Sequence, residues 1–406
     1  MRPGEGLSGL EVLVPADVRF PLERASGIQI VKTAAALARA GATTTLLVRA
    51  SDPRPTDDIL ALYGLAAQPS LRVRRLRVFH RQGARALPRA LFLSRAVAAA
   101  GAALRRGQVV FTRDLQLADL LLCLPGLGRG PVVYEAHAVE ALMYRERGAL
   151  YGTNEVPRPR KAARLAGRER RVWRRAGGFV ATTAGIRDAF AAAHGPRAAG
   201  TRVIPNGCDV PADRRFPGLS METPPRVLYA GQLYPWKGVD VLVEAVAAVP
   251  QARLVILGGI LGEADTTRVR EVIRARGLAE RTEMPGTVPP FRVAEELRRA
   301  AVVAVPFLET AMTERHTSPL KAFEAMAAGR PIVASDLPSS REFLRHGENA
   351  LLVRPGSAAE LAGALRRILE EAALARRLAE QAWADAPAYS WDARARALKE
   401  LIEEVR

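Results

Sequence analysis

Cysteine is almost missing from this chain of 406 residues: Cys123 and Cys208 are the only two, in neither a C-x-x-C pair nor a metal-ligand spacing. That excludes a disulfide scaffold and a zinc ribbon, and both thiols are expected to be reduced, as in a cytosolic protein. Long apolar runs are missing too. No stretch approaches about 18 apolar residues without a charge, so no membrane span is expected. Met1 to Leu10 carries Gly, Pro and Glu in place of the apolar core of a secretory signal. Aromatic residues make up 5% of the chain and none of the usual binding modules occurs, which weighs against a nucleic-acid partner. No G-x-G-x-x-G follows a strand; Leu257-Gly-Gly-Ile-Leu-Gly is only a loose echo, which discounts a Rossmann oxidoreductase. No Asp-x-Asp triplet occurs, which is consistent with metal independence, and no cofactor is expected.

What is present describes a globular chain of two or three domains. Hydrophobic residues supply 49% and charged residues 25%. The charge balance is lopsided: 60 Lys+Arg against 42 Asp+Glu gives +18, and all but five of the 60 are arginine. An arginine-rich codon bias accounts for much of this. The functional reading is an anionic partner, either a phosphorylated substrate, a membrane surface or nucleic acid.

Apolar and β-branched runs alternate with helical patterns along the whole chain. Leu10 to Val14, Ile28 to Ala40 and Thr43 to Val48 read as a first β-α-β unit. Leu71 to Phe79, Val109 to Phe111, Val132 to Glu135, Gly178 to Thr182 and Thr201 to Ile204 read as further strands, with helices at Leu91 to Arg106 and Arg160 to Arg175. Pro205 to Pro225, rich in Pro, Gly and Asp, reads as a linker. The alternation then restarts, with strands at Arg226 to Ala230, Ala252 to Leu257, Val302 to Val305 and Pro331 to Ala334. Ala358 to Trp383 reads as one helix. The fold class is α/β: two doubly wound, Rossmann-like domains facing a cleft. The expected division is 1–212, 213–387 and a C-terminal helix in 388–406 that crosses back to the first domain.

Ligands of such sheets bind beyond the carboxyl ends of the strands. Two stretches there carry chemistry. In Tyr229-Ala-Gly-Gln-Leu-Tyr-Pro-Trp-Lys-Gly-Val-Asp-Val-Leu, a strand ends at Ala230 and Gly231 frees the turn. Lys237 then stands where a helix opens, which suits a diphosphate. In Thr317-Ser-Pro-Leu-Lys-Ala-Phe-Glu, Ser318 is the expected N-cap and Pro319 the first helical residue. The free amides of Leu320 and Lys321 would meet an anion, and Glu324 in the next turn could accept bonds from hydroxyls. A solvated lysine loop and an ordinary first-turn Lys–Glu pair are the plain alternatives.

Together these stretches resemble the retaining glycosyltransferases of family 4, which have the GT-B fold. Val203-Ile-Pro-Asn-Gly-Cys-Asp, Gly286-Thr-Val, Val305-Pro-Phe, Gly347-Glu-Asn-Ala-Leu-Leu-Val and Tyr389-Ser-Trp extend the similarity over nearly the whole chain. The resemblance implies a nucleotide-sugar donor, a UDP- or GDP-sugar, bound by the second domain, and an acceptor bound by the first. It places Lys237 and the amides of Leu320 and Lys321 on the diphosphate, and Glu324 on the ribose. Val288 falls at the base, and Gly27 in a glycine loop beside the phosphates. His137, in Tyr134-Glu-Ala-His, falls against the donor sugar. His137, Lys237 and Glu324 are thus the implied catalytic set. The chain departs from the family pattern twice. His316 stands where the first Glu of the E-x7-E motif belongs, and Gln232 where Arg is common. His316 or Glu314 is then the candidate for the donor sugar hydroxyls. The acceptor would be a sugar, a lipid-linked or a small molecule, in cell-envelope glycan synthesis in the cytoplasm. The basic helix 158–175, with Leu165, Val172 and Trp173 on one face, reads as a solvated arginine face. Docking on anionic lipid is the alternative for it and for the cluster Leu71 to Arg85. The rival readings are a non-catalytic nucleotide-sugar binder and a sugar-nucleotide epimerase.

Overall fold

The computed structural model describes residues 9–21, 25–78, 86–124, 126, 130–197, 200–220, 222–260 and 262–406. Contacts divide the chain into two compact units. One comprises Met1–Tyr144, Arg158–Asn206 and Trp391–Arg406; the other comprises Arg145–Pro157 and Gly207–Ser390. The division thus falls at 206/207 and 390/391, where sequence places it at 212/213 and 387/388. The segment Arg145–Pro157 groups with the second unit, because Tyr151 packs edge-on against Tyr234 with ring centroids 5.1 Å apart.

The first unit holds a seven-stranded sheet of β1 (Glu11–Phe20), β2 (Thr43–Ala50), β3 (Leu71–Leu76), β4 (Val109–Thr112), β5 (Val132–Ala136), β6 (Gly178–Ala181) and β7 (Thr201–Val203). All neighbours are parallel, in the order β3-β2-β1-β4-β5-β6-β7. The second unit holds six parallel strands: β8 (Arg226–Ala230), β9 (Arg253–Leu257), β10 (Thr282–Gly286), β11 (Val302–Val305), β12 (Ile332–Ser335) and β13 (Leu351–Val353). Their order is β10-β9-β8-β11-β12-β13. In each sheet the order reverses beside the first strand, between β1 and β4 and between β8 and β11. Each switch point opens a crevice at the carboxyl ends of the strands of its own sheet.

Strands covered by helices on both faces are apolar throughout. Every residue of β4, β6, β11 and β12 is buried. The edge strand β3 differs: it alternates Leu71 and Val73 with Arg72 and Arg74, whose exposed charges discourage pairing with another chain. The far end of the basic cluster, 79–85, lies outside the described residues, as does most of Met1 to Leu10.

Local capping explains several helices that sequence periodicity leaves out. The Asp114 side chain accepts from Leu117 N at 3.0 Å and starts Leu115–Cys123; Thr183 does the same for Ala184–His194. The expected helix Ala358 to Trp383 is two helices, Ala358–Glu370 and Ala372–Asp385, because Glu371 leaves helical geometry at φ −98° and ψ 77°. Among the described residues one helix, Leu87–Arg105 by span, is long and apolar enough to cross a membrane. It packs Phe92, Leu93, Ala96, Ala100, Ala103 and Leu104 into the core of the first unit, against Leu13, Leu47 and Val110 of the sheet. The C-terminal helix (Trp391–Val405) buries Trp391, Leu398, Leu401 and Ile402 in the first unit.

Candidate functional site

The carboxyl edge of the second sheet gathers most of the sequence-predicted residues. Gly231, Gln232 and Lys237 follow β8, Val288 follows β10, and His316, Ser318, Leu320, Lys321 and Glu324 follow β11. After β8 the chain makes a 3-10 turn, Pro235–Lys237, and then the helix Val239–Ala247. Lys237 therefore ends a tight turn and does not open the helix. Gly238 joins the two at φ 68°, and a Cβ there would sit 1.8 Å from the Pro306 carbonyl oxygen. Only glycine permits this left-handed, crowded junction between the β8 and β11 loops. Gly231 does not have a positive φ. Its amide donates to Leu257 O at 2.9 Å, tying the β8 and β9 loops.

Lys237 is half-buried, with its amine 4.0 Å from the centre of the Trp236 ring and 4.2 Å from that of Phe307. Cation–π contact of this kind favours the charged form modestly. Burial works against it and pushes the ammonium down to about 7. Among the described residues no carboxylate lies in ion-pair reach of it. The indole Nε1 of Trp236 is likewise buried without a hydrogen-bond partner. Phe307 and Trp236 were not singled out by sequence reasoning; the signal was the pair of aromatic residues beside Lys237 and beside the end of β11.

The loop after β11 is built by a capping box. Thr310 accepts from Thr313 N at 3.1 Å, and Thr313 Oγ1 accepts from Thr310 N at 2.9 Å, which starts Ala311–Arg315. His316 closes this helix through its amide to Met312 O at 2.9 Å. Its ring is 3% exposed and its Nδ1 has no partner. Burial first, then Arg315, lowers its pKa to about 4 against the pull of Glu314. His316 is therefore a neutral imidazole where the family pattern has a carboxylate.

The next helix, Leu320–Ala327, begins one residue later than expected. Pro319 occupies the N-cap position, with no side-chain cap bond, and Ser318 lies before it. The sequence assignment of Ser318 as N-cap and Pro319 as first helical residue is corrected accordingly. A proline before the helix has fixed φ and needs no amide partner. Leu320 and Lys321 remain the first helical residues, with amides that find no acceptor within the first turn. Lys321 Nζ and Glu324 Oε2 lie 2.5 Å apart as an i,i+3 pair, both 22% exposed. Glu324 thus already holds a cation at this helix end. Val288 is half-buried on the core beneath, two residues beyond Gly286 at φ 86°.

Gly27 and His137 belong to the first unit. Gly27 lies inside the helix Ala25–Arg39, buried and without a positive φ, so it is not the loop glycine that the resemblance implies. The helix begins before Ile28 because Ala25 and Ser26 tolerate its first turn. Two residues further on, Gln29 donates to Glu135 Oε1 at 2.6 Å, and His137 Nε2 contacts the same oxygen. The other Glu135 oxygen receives Arg394 of the C-terminal helix. Arg394 also donates to Thr33 Oγ1 at 3.1 Å, Ile204 O at 2.9 Å and Pro205 O at 2.6 Å. Burial alone would raise Glu135; Arg394 and His137 outweigh it and hold the carboxyl at about 2. Burial and then Arg113 push His137 down to about 4, so its ring is neutral at pH 7. Arg394 lies 259 residues from Glu135 along the chain, and no sequence signal pairs them.

At the carboxyl edge of the second sheet, Lys237, Lys321 and the N-terminus of Leu320–Ala327 are the cationic groups, with the neutral imidazole of His316 among the same loops; the first unit separately holds the neutral imidazole of His137. Among the described residues, no group of three or more metal-ligating side chains is assembled. This fold and site define the GT-B class of two Rossmann-like domains. Sucrose-phosphate synthase from Thermosynechococcus elongatus matches with a TM-score of 0.72 and 23% identity, over 97% of this chain and 98% of that one. HepE of Anabaena in complex with UDP-glucose matches at 0.70 and 19% identity, over 97% and 99%. The family model for glycosyl transferases group 1 matches residues 212–384, and that for the glycosyl transferase 4-like domain matches 26–207. The chain belongs to this family of glycosyltransferases. A D-inositol 3-phosphate glycosyltransferase from Nocardia farcinica is 29% identical over 278 residues, 65% of this chain and 59% of that protein. The chain thus spans about three-fifths of the length of that curated relative.

Proposed function

We propose that this chain is a retaining, metal-independent glycosyltransferase that moves a sugar from a UDP- or GDP-sugar to an acceptor hydroxyl. The observation that carries the reading is the Lys237 amine at the switch point of the second sheet, lying over Trp236 and Phe307 and, among the described residues, without an ion-pair partner. Sugar transfer breaks the bond from the anomeric carbon to the diphosphate and forms one to the acceptor oxygen. The acceptor proton leaves with the diphosphate. Charge grows on that diphosphate as the bond breaks, so fixed cations aimed at it stabilise the transition state more than the ground state. Lys237, Lys321 and the amides of Leu320 and Lys321 fill that role. Glu324 would then divide itself between Lys321 and the ribose. The orphaned Nδ1 of His316 offers one hydrogen bond to a donor hydroxyl; the family resemblance assigns a second to His137, which Glu135 holds. The HepE complex with UDP-glucose supports a UDP-sugar donor, and the similarity to a D-inositol 3-phosphate glycosyltransferase supports a polyol acceptor. A cytoplasmic, cell-envelope role, with basic surfaces near anionic lipid, belongs to the same reading.

The test is incubation of the purified chain with UDP- and GDP-sugars and an acceptor panel in EDTA. The reading expects nucleoside diphosphate released in step with a glycoside of unchanged anomeric configuration. An isomerised sugar still on its nucleotide would make the chain an epimerase. Tight donor binding with no turnover on any acceptor would leave a non-catalytic binder.

A further inference from the structure

Glu135 and His137 stand two residues apart at the carboxyl end of β5, on the same side of the chain. The Glu135 side chain is 1% exposed and the His137 side chain 22%. Among the described residues, each polar group in contact with the carboxylate is a donor. Gln29, on the helix Ala25–Arg39, gives its amide hydrogen to Oε1 at 2.6 Å. Arg394, on the last helix, gives its guanidinium to Oε2. The Gln29 amide cannot turn over, because Arg113 donates to its oxygen at 3.1 Å. The Arg394 charge outweighs burial and keeps Glu135 ionised, so the group accepts only. His137 Nε2 contacts the same Oε1 as Gln29. A bare nitrogen there would set two lone pairs against each other, so Nε2 carries the ring proton. Among the described residues Nδ1 has no partner.

A neutral imidazole has one donor and one acceptor nitrogen, and the bond made by one sets the role of the other. Glu135 therefore makes Nδ1 an acceptor. It also fixes the ring plane, since the ring cannot flip without breaking its bond to a buried carboxylate. Gln29 and Arg394 already satisfy Glu135 for burial; the bond to a partly exposed imidazole is additional. Three elements far apart in sequence converge on this one carboxylate, so the constraint exists only in the folded first unit.

Resting on the transferase reading above, we infer that Glu135 is a positioning residue for His137: it fixes the Nε2–H tautomer and the ring plane, so that Nδ1 accepts a hydrogen bond from a hydroxyl of the donor sugar. Arg394 and Gln29 act one step further out, by holding the carboxylate. Glu135→Gln keeps the shape and reverses the logic. Its amide oxygen is the one acceptor left for Arg394, so its NH2 faces His137. Nε2 must then accept, and the proton moves to Nδ1. Exchanging a carboxylate for an amide beside a histidine acts through the tautomer in this way.

The experiment is nitrogen NMR of the full chain labelled at histidine, with the His137 signals assigned by their loss in His137→Ala. Calorimetric titration with UDP, UDP-glucose, GDP and GDP-mannose accompanies it. At pH 7 the wild-type chain should show a protonated Nε2 and a bare Nδ1. The Nδ1 signal should move when the nucleotide-sugar is added and stay when the nucleotide alone is added. Glu135→Gln should transfer the proton to Nδ1. His137→Ala should bind the nucleotide-sugar about fivefold weaker, the worth of one hydrogen bond, with nucleotide affinity unchanged. In that background Glu135→Gln should add less than about twofold, since it acts through the missing ring. Glu135→Gln also strips Arg394 of its counter-charge. Glu135→Leu/Arg394→Met removes the buried pair together and serves as the second variant. It should match His137→Ala to within about twofold in nucleotide-sugar affinity. A proton on Nδ1 in the wild type, an unchanged tautomer in folded Glu135→Gln, or wild-type nucleotide-sugar affinity in the double variant overturns the inference. Absence of nucleotide and nucleotide-sugar binding by the wild-type chain would instead bring down the transferase reading, and the two tautomers would still decide the role of Glu135.

Discussion

An ammonium lying over two aromatic rings, with no carboxylate among the described residues to answer it, is half a binding site. Lys237 is in that position, and its depressed pKa of about 7 makes it a proton-linked one. Above pH 7 the free site is increasingly neutral, and an arriving diphosphate restores the charge. Nucleotide binding at pH 8 is therefore expected to take up close to one proton, measured by calorimetry in buffers of different ionisation enthalpy. Lys237→Arg, which stays charged, should abolish the uptake; an unchanged uptake would place the linked proton elsewhere. A second residue-scale prediction concerns Glu135 and Arg394, both almost fully buried. Glu135→Gln leaves Arg394 buried and unpaired, a loss of about 3–5 kcal/mol by precedent. It should appear as faster amide exchange in β5 and the C-terminal helix, with β8 to β13 unaffected.

At the scale of elements, the anion site depends on how two loops are joined. Gly238→Ala forces a Cβ onto the Pro306 carbonyl and an alanine into φ 68°. The strain is about 1–3 kcal/mol before any clash is relieved. The variant should melt earlier and bind nucleoside diphosphate more weakly; wild-type binding would show that the junction can relax without moving Lys237. This junction also shows what a sequence can disclose. The strand–loop–lysine order of Tyr229 to Gly238 and the helix start at Leu320 are written in apolar runs, glycine and proline, so these element boundaries were legible to within a residue. The exact caps were not, because Ser318 and Pro319 are both good helix starters and only packing decides between them. Gly27 misled for the opposite reason: a glycine beside a loop pattern was absorbed into a helix. Phe307 could be placed at the end of β11 but not beside Lys237, since that relation depends on strand order and not on spacing.

On the scale of the whole molecule, two units carry two histidines kept neutral by burial, His137 and His316, each at about 4. Their folded pKa values lie below the unfolded value of about 6.5. The unfolded chain therefore binds more protons as pH falls from about 6.5 toward 4, and stability is lost over that window. Each histidine contributes a slope of about 1.4 kcal/mol per pH unit. Melting temperature should fall between pH 6.5 and 4.5, and His316→Gln should flatten the fall in the second unit alone. A profile flat across that range would mean that both rings are protonated in the folded chain. Sequence alone read two Rossmann-like halves and their order. It could not read Arg394 reaching Glu135, since that contact is made only when the last helix has packed on the first unit.

The central claim is that the switch point of the second sheet binds a nucleoside diphosphate through fixed protein charge, with no metal. Calorimetric titration of the chain with UDP, GDP, ADP, CDP and dTDP in EDTA addresses it directly. The account predicts saturable binding of at least one of them in EDTA, weakened about tenfold or more in Lys237→Met, a loss of roughly 1.4 kcal/mol or more. Binding that requires added Mg2+, equal affinity in the variant, or no binding at millimolar nucleotide to folded protein would contradict it.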